Sequence, residues 1–186
     1  GHSAVRTMLG IATRRVEYGQ CAVVANITPE RAHAGTAYER FTANGPLALL
    51  PMSDKRCSLV WSLPPAEAER MLAVSDSEFL RHLQACFGDR LGAFVKVGTR
   101  QSYPLALTRV AEHVRPRLAL IGNAAHTLHP VAGQGFNLGL RDVAVLAQVL
   151  TEAQAAGSDI GDLSVLQRYA DWRRRDNLAV SRFTDG

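Results

Sequence analysis

The sequence predicts an α/β chain, α+β in its own layout: a mainly antiparallel sheet with covering helices, followed by a strand, loop and helix. Three observations predict it. Four short runs rich in β-branched and aromatic residues occupy positions 19–63, separated by Pro, Gly, Asn and Asp. Two stretches with helix-start signals and apolar residues at helical spacing follow between 64 and 88. A glycine-lined entrance, AGQGFNLG at 132–139, then opens a long segment of helical period.

The elements can be justified in order. GQCAVVANI (19–27), TAYERFT (36–42), PLALLPM (46–52) and RCSLVWSL (56–63) read as strands, and their short connections favour antiparallel pairing. The link from Met52 to Arg56 is short enough for a hairpin, and the alternation in CSLVWSL gives one buried face and one free face. Pro64-Pro65 opens AEAERMLAV with the backbone angle that a first helical turn accepts. Ser77 precedes EFLRHLQACFG, in which Phe79, Leu80, Leu83 and Phe87 share a face and Gly88 ends the helix. FVKVGTRQSYPLAL (94–107) is extended, with Pro104 marking an edge or bend, and RLALIGNAAH (117–126) reads as a buried strand feeding a loop. The helix that begins near Gly135 carries Leu138, Val145, Leu146, Val149 and Leu150 and stops at Gly157. Ser164 and Gln167 have capping-box spacing and open the last helix, through Leu166, Tyr169, Ala170 and Trp172.

Composition narrows the function classes. With 186 residues, 47% hydrophobic and 20% charged, the chain is neither disordered nor fibrous. No apolar run approaches the roughly 20 residues of a membrane span, and GHSAVRTMLG lacks signal-peptide order, so a cytoplasmic location is expected. Cys21, Cys57 and Cys86 are widely spaced, without a CxxC, and suggest neither disulfides nor zinc. The net charge of +4 is mild. Part of it is local, in Arg173, Arg174 and Arg175, which read as a solvated helix face or as a contact for anionic lipid or a partner protein. No motif or aromatic platform supports nucleic-acid binding.

As chemistry, LALIGNAAHTLHPVAGQGFNLGLRD is a strand, a polar turn, an irregular loop and a glycine-lined helix start. Such a start presents unpaired amides and the positive end of a helix dipole, which attract a phosphate, a carboxylate or a partly negative oxygen. Gly133, Gly135 and Gly139 have one residue too many between the last two for a dinucleotide fingerprint, and they follow a loop rather than a strand. Tight packing of the helix start is the alternative use of such glycines. His126 and His129 lack a third metal ligand nearby, which leaves loop hydrogen bonding or proton handling. A serine hydrolase is excluded because no G-x-S-x-G occurs.

The stretch IGNAAHTLHPVAGQGFNLGLRD resembles the second flavin-binding motif of the aromatic-hydroxylase class of FAD-dependent monooxygenases: roughly G-D-A-A-H, a Pro, then G-Q-G-x-N-x-G and an Asp. Gly122-Asn123 in place of Gly-Asp, together with TLHPVAGQGFNLGLRDV and WRRRDNLAVSRFTDG, is most similar to the ubiquinone-biosynthesis branch that hydroxylates 2-polyprenyl-6-methoxyphenol. GPLALLPM and SLVWSLP also resemble that branch, so the likeness covers essentially the whole chain.

The resemblance implies FAD as cofactor, NADPH or NADH as reductant, and a hydrophobic polyprenyl phenol and dioxygen as substrates, with dioxygen adding at flavin C4a and the resulting hydroperoxide transferring OH to the ring. It implies that Gly122 and Asn123 lie at the ribityl chain. The loop through Pro130, Gly133, Gln134, Gly135, Phe136 and Asn137 would follow the isoalloxazine edge. Asn in place of Asp keeps an oxygen acceptor and removes a charge. GHSAVR resembles the tail of another family motif near the flavin pyrophosphate, in which Ser3 and Arg6 match. Residues 1–15 would then be a FAD-domain tail and 16–110 the substrate sheet. Residues 111–157 would be the FAD-contacting strand, loop and helix of a Rossmann-like domain, and 158–186 a last helix. Phe41, Leu49, Pro51 and Trp61 would wall the substrate on the sheet's free face, with simple core packing the alternative for each.

The family's GxGxxG unit is not in this sequence. The chain is therefore expected to be a C-terminal portion that binds FAD weakly or not at all and does not turn over alone. Two rivals use the same features: a flavin-dependent polyprenyl reductase, and a non-enzymatic module docking on a biosynthetic complex or membrane surface.

Overall fold

The computed structural model describes residues 3–127 and 134–184, and the chain divides into two units, Glu17–Leu105 and Gly1–Val16 with Ala106–Gly186. It passes between them in β1 (Thr13–Pro29) and β6 (Gln101–Val110).

In the unit Glu17–Leu105, β2 (Tyr38–Thr42), β3 (Gly45–Pro51) and β4 (Cys57–Leu63) pair antiparallel in the order β2-β3-β4-β1, and β5 (Phe94–Val97) also pairs with β1. The β3–β4 connection is the expected hairpin, with Pro51 opposite Cys57 and left-handed φ of 58° and 59° at Asp54 and Lys55. The register places Leu47 opposite Trp61, Leu49 opposite Leu59 and Val23 opposite Trp61. Successive side chains alternate faces, so the odd-numbered residues of β1, β3 and β4 share one face. That face packs with Met71 of α2 (Pro65–Ala73) and with Phe79, Leu83 and Phe87 of α3 (Asp76–Phe87) in a single buried cluster. Full burial of each such aliphatic or aromatic side chain contributes about 1.5–3 kcal/mol. Trp61 meets Phe79 edge to face, with ring centroids 6.0 Å apart.

This register corrects the expected substrate wall. Leu49 and Trp61 are 0% and 3% exposed in the helix-covered core, and Pro51 shares their face. Phe41, 74% exposed, pairs with Pro46 and therefore lies on the opposite face. The four residues do not form one surface, because the alternation that groups them says nothing of which face the helices cover.

The two covering helices form as expected, with one cap displaced. Pro65 occupies the first turn of α2, where its missing amide hydrogen costs nothing. Ser75, not Ser77, caps α3: its backbone is extended and its Oγ accepts from the Glu78 amide, while Ser77 is already helical. Gly88 ends the helix at φ 86°. Across the α2–α3 junction, Arg100 donates to the Met71 and Val74 carbonyls at 2.9 and 2.8 Å and to Asp76 at 3.0 Å, and lies over the Phe79 ring.

The other unit contains α1 (Ala4–Met8), β7 (Val114–Arg115), β8 (Leu118–Ala119), a one-turn 3-10 helix (Gly122–Ala124), β9 (His126–Thr127), α4 (Gln134–Ala155) and α5 (Leu163–Thr184). The buried strand expected over 117–126 is therefore only the two-residue β8, paired with β7. Val149 and Ala153 of α4 pack with Val165, Leu166, Tyr169 and Ala170 of α5. α4 stops as expected: Gly157 takes φ 71°, its amide reaches the Gln154 carbonyl and the Ser158 amide reaches that of Ala153. Asp162, not Ser164, caps α5, because its Oδ1 accepts from the Ser164 amide at 2.7 Å and its carbonyl from Leu166. Among the described residues no helix is long and apolar enough to cross a membrane.

Candidate functional site

The site is assembled on the short segment that follows β8. The Leu120 amide donates to the His113 carbonyl, Ile121 is extended, and Gly122 then reverses the chain with φ 55°. The turn closes on itself through the Ala125 amide and the Gly122 carbonyl, 2.9 Å apart. β9 next pairs with β6, His126 opposite Arg109. Asn123, at the crest of this turn, is exposed.

α4 lies directly against the turn. A Cβ built on Gly139 would stand 3.6 Å from the Gly122 Cα, whereas one on Gly135 would meet none of the described residues within 4 Å. A side chain at Gly139 would thus reach only ordinary contact with the turn, and Gly135 at the helix start is clear of the other described residues. Phe136 is 74% exposed and Asn137 is also exposed. Pro130 and Gly133 lie outside the described residues, as do His129 and the side chain of Gln134.

Arg6 reaches the same turn from α1. Ser3 caps this helix by accepting from the Arg6 amide, and the Arg6 Nη1 donates to the Ala124 carbonyl at 2.9 Å with the residue only 8% exposed. Tyr169 of α5 donates its phenolic hydrogen to the Leu120 carbonyl at 2.9 Å. Burial, reinforced by the Asp142 charge, pushes that phenol above the ordinary tyrosine value.

Behind the turn stands Asp142. Its Oδ2 accepts from the Gly122 amide at 2.7 Å and from His126 Nε2 at 2.8 Å, and its Oδ1 accepts from Arg173 Nε at 2.6 Å. Burial alone would raise this carboxyl; the bonds from His126, Gly122 and Arg173 outweigh it and hold the group below its ordinary value. An ionised carboxylate only accepts, so His126 carries its proton on Nε2. Of the two roles expected for His126, the geometry provides the hydrogen-bonding one. Burial, with His126 and the arginines adding to it, lowers the neighbouring His113 imidazole.

Arg173 was expected on a solvated or lipid-facing row; it is instead buried against Asp142, while the exposed Arg174 pairs with Asp171. Sequence reasoning missed Asp142 and Arg173 as site residues. A usable signal was present. Asp142 stands four residues after Leu138 on the inward stripe of α4, and Arg173 four after Tyr169 on that of α5. A charge in an apolar stripe requires a buried partner.

A flavin presents a flat apolar ring system with a polar edge and a hydroxylated chain. The described residues fit it: a glycine at a helix start that no other described residue crowds, an exposed Phe136, and the exposed Asn123 and Asn137. The model of the FAD binding domain family matches residues 1–184. The chain belongs to this FAD-binding family. Its relatives include the ubiquinone hydroxylase UbiL of Rhodospirillum rubrum, 47% identical over 183 residues, which are 98% of this chain and 43% of that protein. The human mitochondrial ubiquinone biosynthesis monooxygenase COQ6 is 37% identical over 220 aligned positions, covering 100% of this chain and 47% of its own length. The crystal structure of Pseudomonas aeruginosa PqsL in complex with 2-aminobenzoylacetate superposes with a TM-score of 0.75 at 25% identity, over 94% of this chain and 49% of that one. The chain thus spans about half the length of the relatives it matches.

Proposed function

We propose that this chain is the part of a flavin-dependent monooxygenase that meets the flavin edge and carries the substrate sheet, and that the whole protein hydroxylates the aromatic ring of a polyprenyl phenol in ubiquinone biosynthesis. NADPH or NADH is the reductant. The observation that carries the reading is the Gly122–Ala124 turn, packed on Gly139 of α4 with Asn123 exposed and Gly135 clear of the other described residues, in a chain 47% identical over 183 residues to a ubiquinone hydroxylase.

When bound, reduced flavin and dioxygen supply the oxygen atom that the ring receives. The chain's own residues bind and orient. Amides of the first turn of α4 face negative charge at the ring edge with a gain of about 0.3–1 kcal/mol. Asn123 offers the ribityl chain a neutral donor and acceptor. Phe136 lends an apolar surface to the ring. Within this proposal, Phe41 is the residue of the four wall candidates left exposed for a substrate. Peripheral contact with a membrane or a biosynthetic complex would bring the polyprenyl tail to the enzyme. Arg173 takes no part in it, being 1% exposed.

Oxygen uptake by the full-length protein tests the reading. A polyprenyl phenol should stimulate NADPH-dependent oxygen consumption and yield a product heavier by one oxygen atom. Reduction of the polyprenyl chain without oxygen uptake would identify the reductase instead, and the absence of any flavin from the purified protein would reject both.

A further inference from the structure

The segment Leu120–His126 is held from outside far more than a chain reversal needs. Its own bond from the Ala125 amide to the Gly122 carbonyl already closes the turn. Three helices nevertheless grip it: Tyr169 of α5 on the Leu120 carbonyl, Asp142 of α4 on the Gly122 amide, and Arg6 of α1 on the Ala124 carbonyl. His126 returns from the end of the segment to the same Asp142 oxygen as the Gly122 amide. Asp142 and Arg173 are each 1% exposed and Tyr169 is 0% exposed, whereas Asn123, in the middle of the gripped segment, is exposed.

A buried ion pair is a weak source of net stability, since desolvation offsets most of the attraction. What such a pair does well is fix one geometry. Here the carboxylate has one acceptor on each side of the arrangement, Oδ1 for α5 and Oδ2 for the turn. A shift of α5 therefore moves Arg173, and through Asp142 the Gly122 amide, which is one residue from Asn123.

We propose that Asp142 is a positioning residue for cofactor binding: anchored by Arg173 on α5, its carboxylate sets the Gly122–Ala124 turn so that Asn123 meets the flavin in register. This rests on the flavin reading given above. Asp142 acts through Asn123 and is not itself a catalytic residue.

A double-mutant cycle on FAD affinity in the full-length protein tests it, using Asp142→Asn, Asn123→Ala and the pair, with flavin fluorescence as the readout. Asp142→Asn keeps the shape and removes the charge that orients Arg173. Each single change should raise the FAD Kd about tenfold, as loss of a supporting contact behind a binding group does, and the pair should raise it about tenfold as well, because both act at one contact. An additive loss of about a hundredfold would overturn the proposal, as would an unchanged Kd in Asp142→Asn when Asn123→Ala weakens binding. Should Asp142→Asn fail to fold, Arg173→Lys, which keeps the charge and removes the Nε bond that anchors the Asp142 carboxylate, replaces it in the cycle with the same expected and opposing results. A wild-type protein that does not bind FAD defeats the flavin reading itself, whereas an additive cycle in a protein that binds FAD defeats only the positioning role.

Discussion

The Arg173 guanidinium meets the Asp142 carboxylate at 2.6 Å with both side chains 1% exposed. Removing the carboxylate takes from the buried Arg173 guanidinium the ionic partner at its Nε. Asp142→Asn should cost about 3 kcal/mol or more in urea unfolding, whereas Asp142→Asn with Arg173→Met should lose clearly less than the single change. Equal losses in the two would mean that Arg173 is not the group left stranded.

Tyr169 gives a prediction on the alkaline side. Its phenol is held above the ordinary value in the folded chain, so it stays protonated there at pH values where the unfolded chain ionises. The folded pKa is the raised one. Its contribution is therefore fully present below the unfolded value of about 10 and is lost as pH rises beyond it. Thermal melts between pH 9 and 11 should fall more steeply in the wild type than in Tyr169→Phe, which should itself cost about 1 kcal/mol at neutral pH. Parallel slopes would place the phenol in water.

Two glycines in contact should answer oppositely to alanine. Gly122 has φ 55°, so Gly122→Ala should cost about 1–2 kcal/mol. Gly139 is helical, and its added methyl would meet the Gly122 Cα at an ordinary 3.6 Å, so Gly139→Ala should be neutral or stabilise by up to about 1 kcal/mol. Thermal unfolding of the two variants decides both signs.

Arg100 ties the end of α2 to the start of α3 through two carbonyls, Asp76 and the Phe79 ring. Arg100→Lys keeps the charge and loses the fork. It should recover little of the loss in Arg100→Ala, about 2–3 kcal/mol, because the two part-buried carbonyls lose the guanidinium fork in both. Full recovery in Arg100→Lys would reduce the contact to a simple charge effect.

Much of the fold was legible because local rules decide it. Alternation and turn residues marked β1 to β4, and Pro65 and Gly88 bounded the covering helices. Ser75 and Ser77 could each have served as a cap by composition; the choice depends on which oxygen reaches the Glu78 amide, a distance the sequence does not carry. Leu49 and Trp61 show a related gap: period two groups residues on a face, but only the docking of α2 and α3 says which face is wet. In the candidate site, the turn and the glycine entrance were legible from residue order. The Asp142–Arg173 pair was not, since it joins side chains 31 residues apart through tertiary packing.

That separation bears on the order of events during synthesis. The Gly122 turn and the Asp142 carboxylate leave the ribosome well before the helix that supplies Arg173, and chains fold as they emerge from the N-terminal side. Until α5 is out, the nascent chain holds an acid with no guanidinium from that helix to answer it, so the turn reaches its final setting only after α5 has emerged. A stop codon between the end of α4 at Ala155 and Arg173 would release a polypeptide with every described strand and a turn that lacks this anchor.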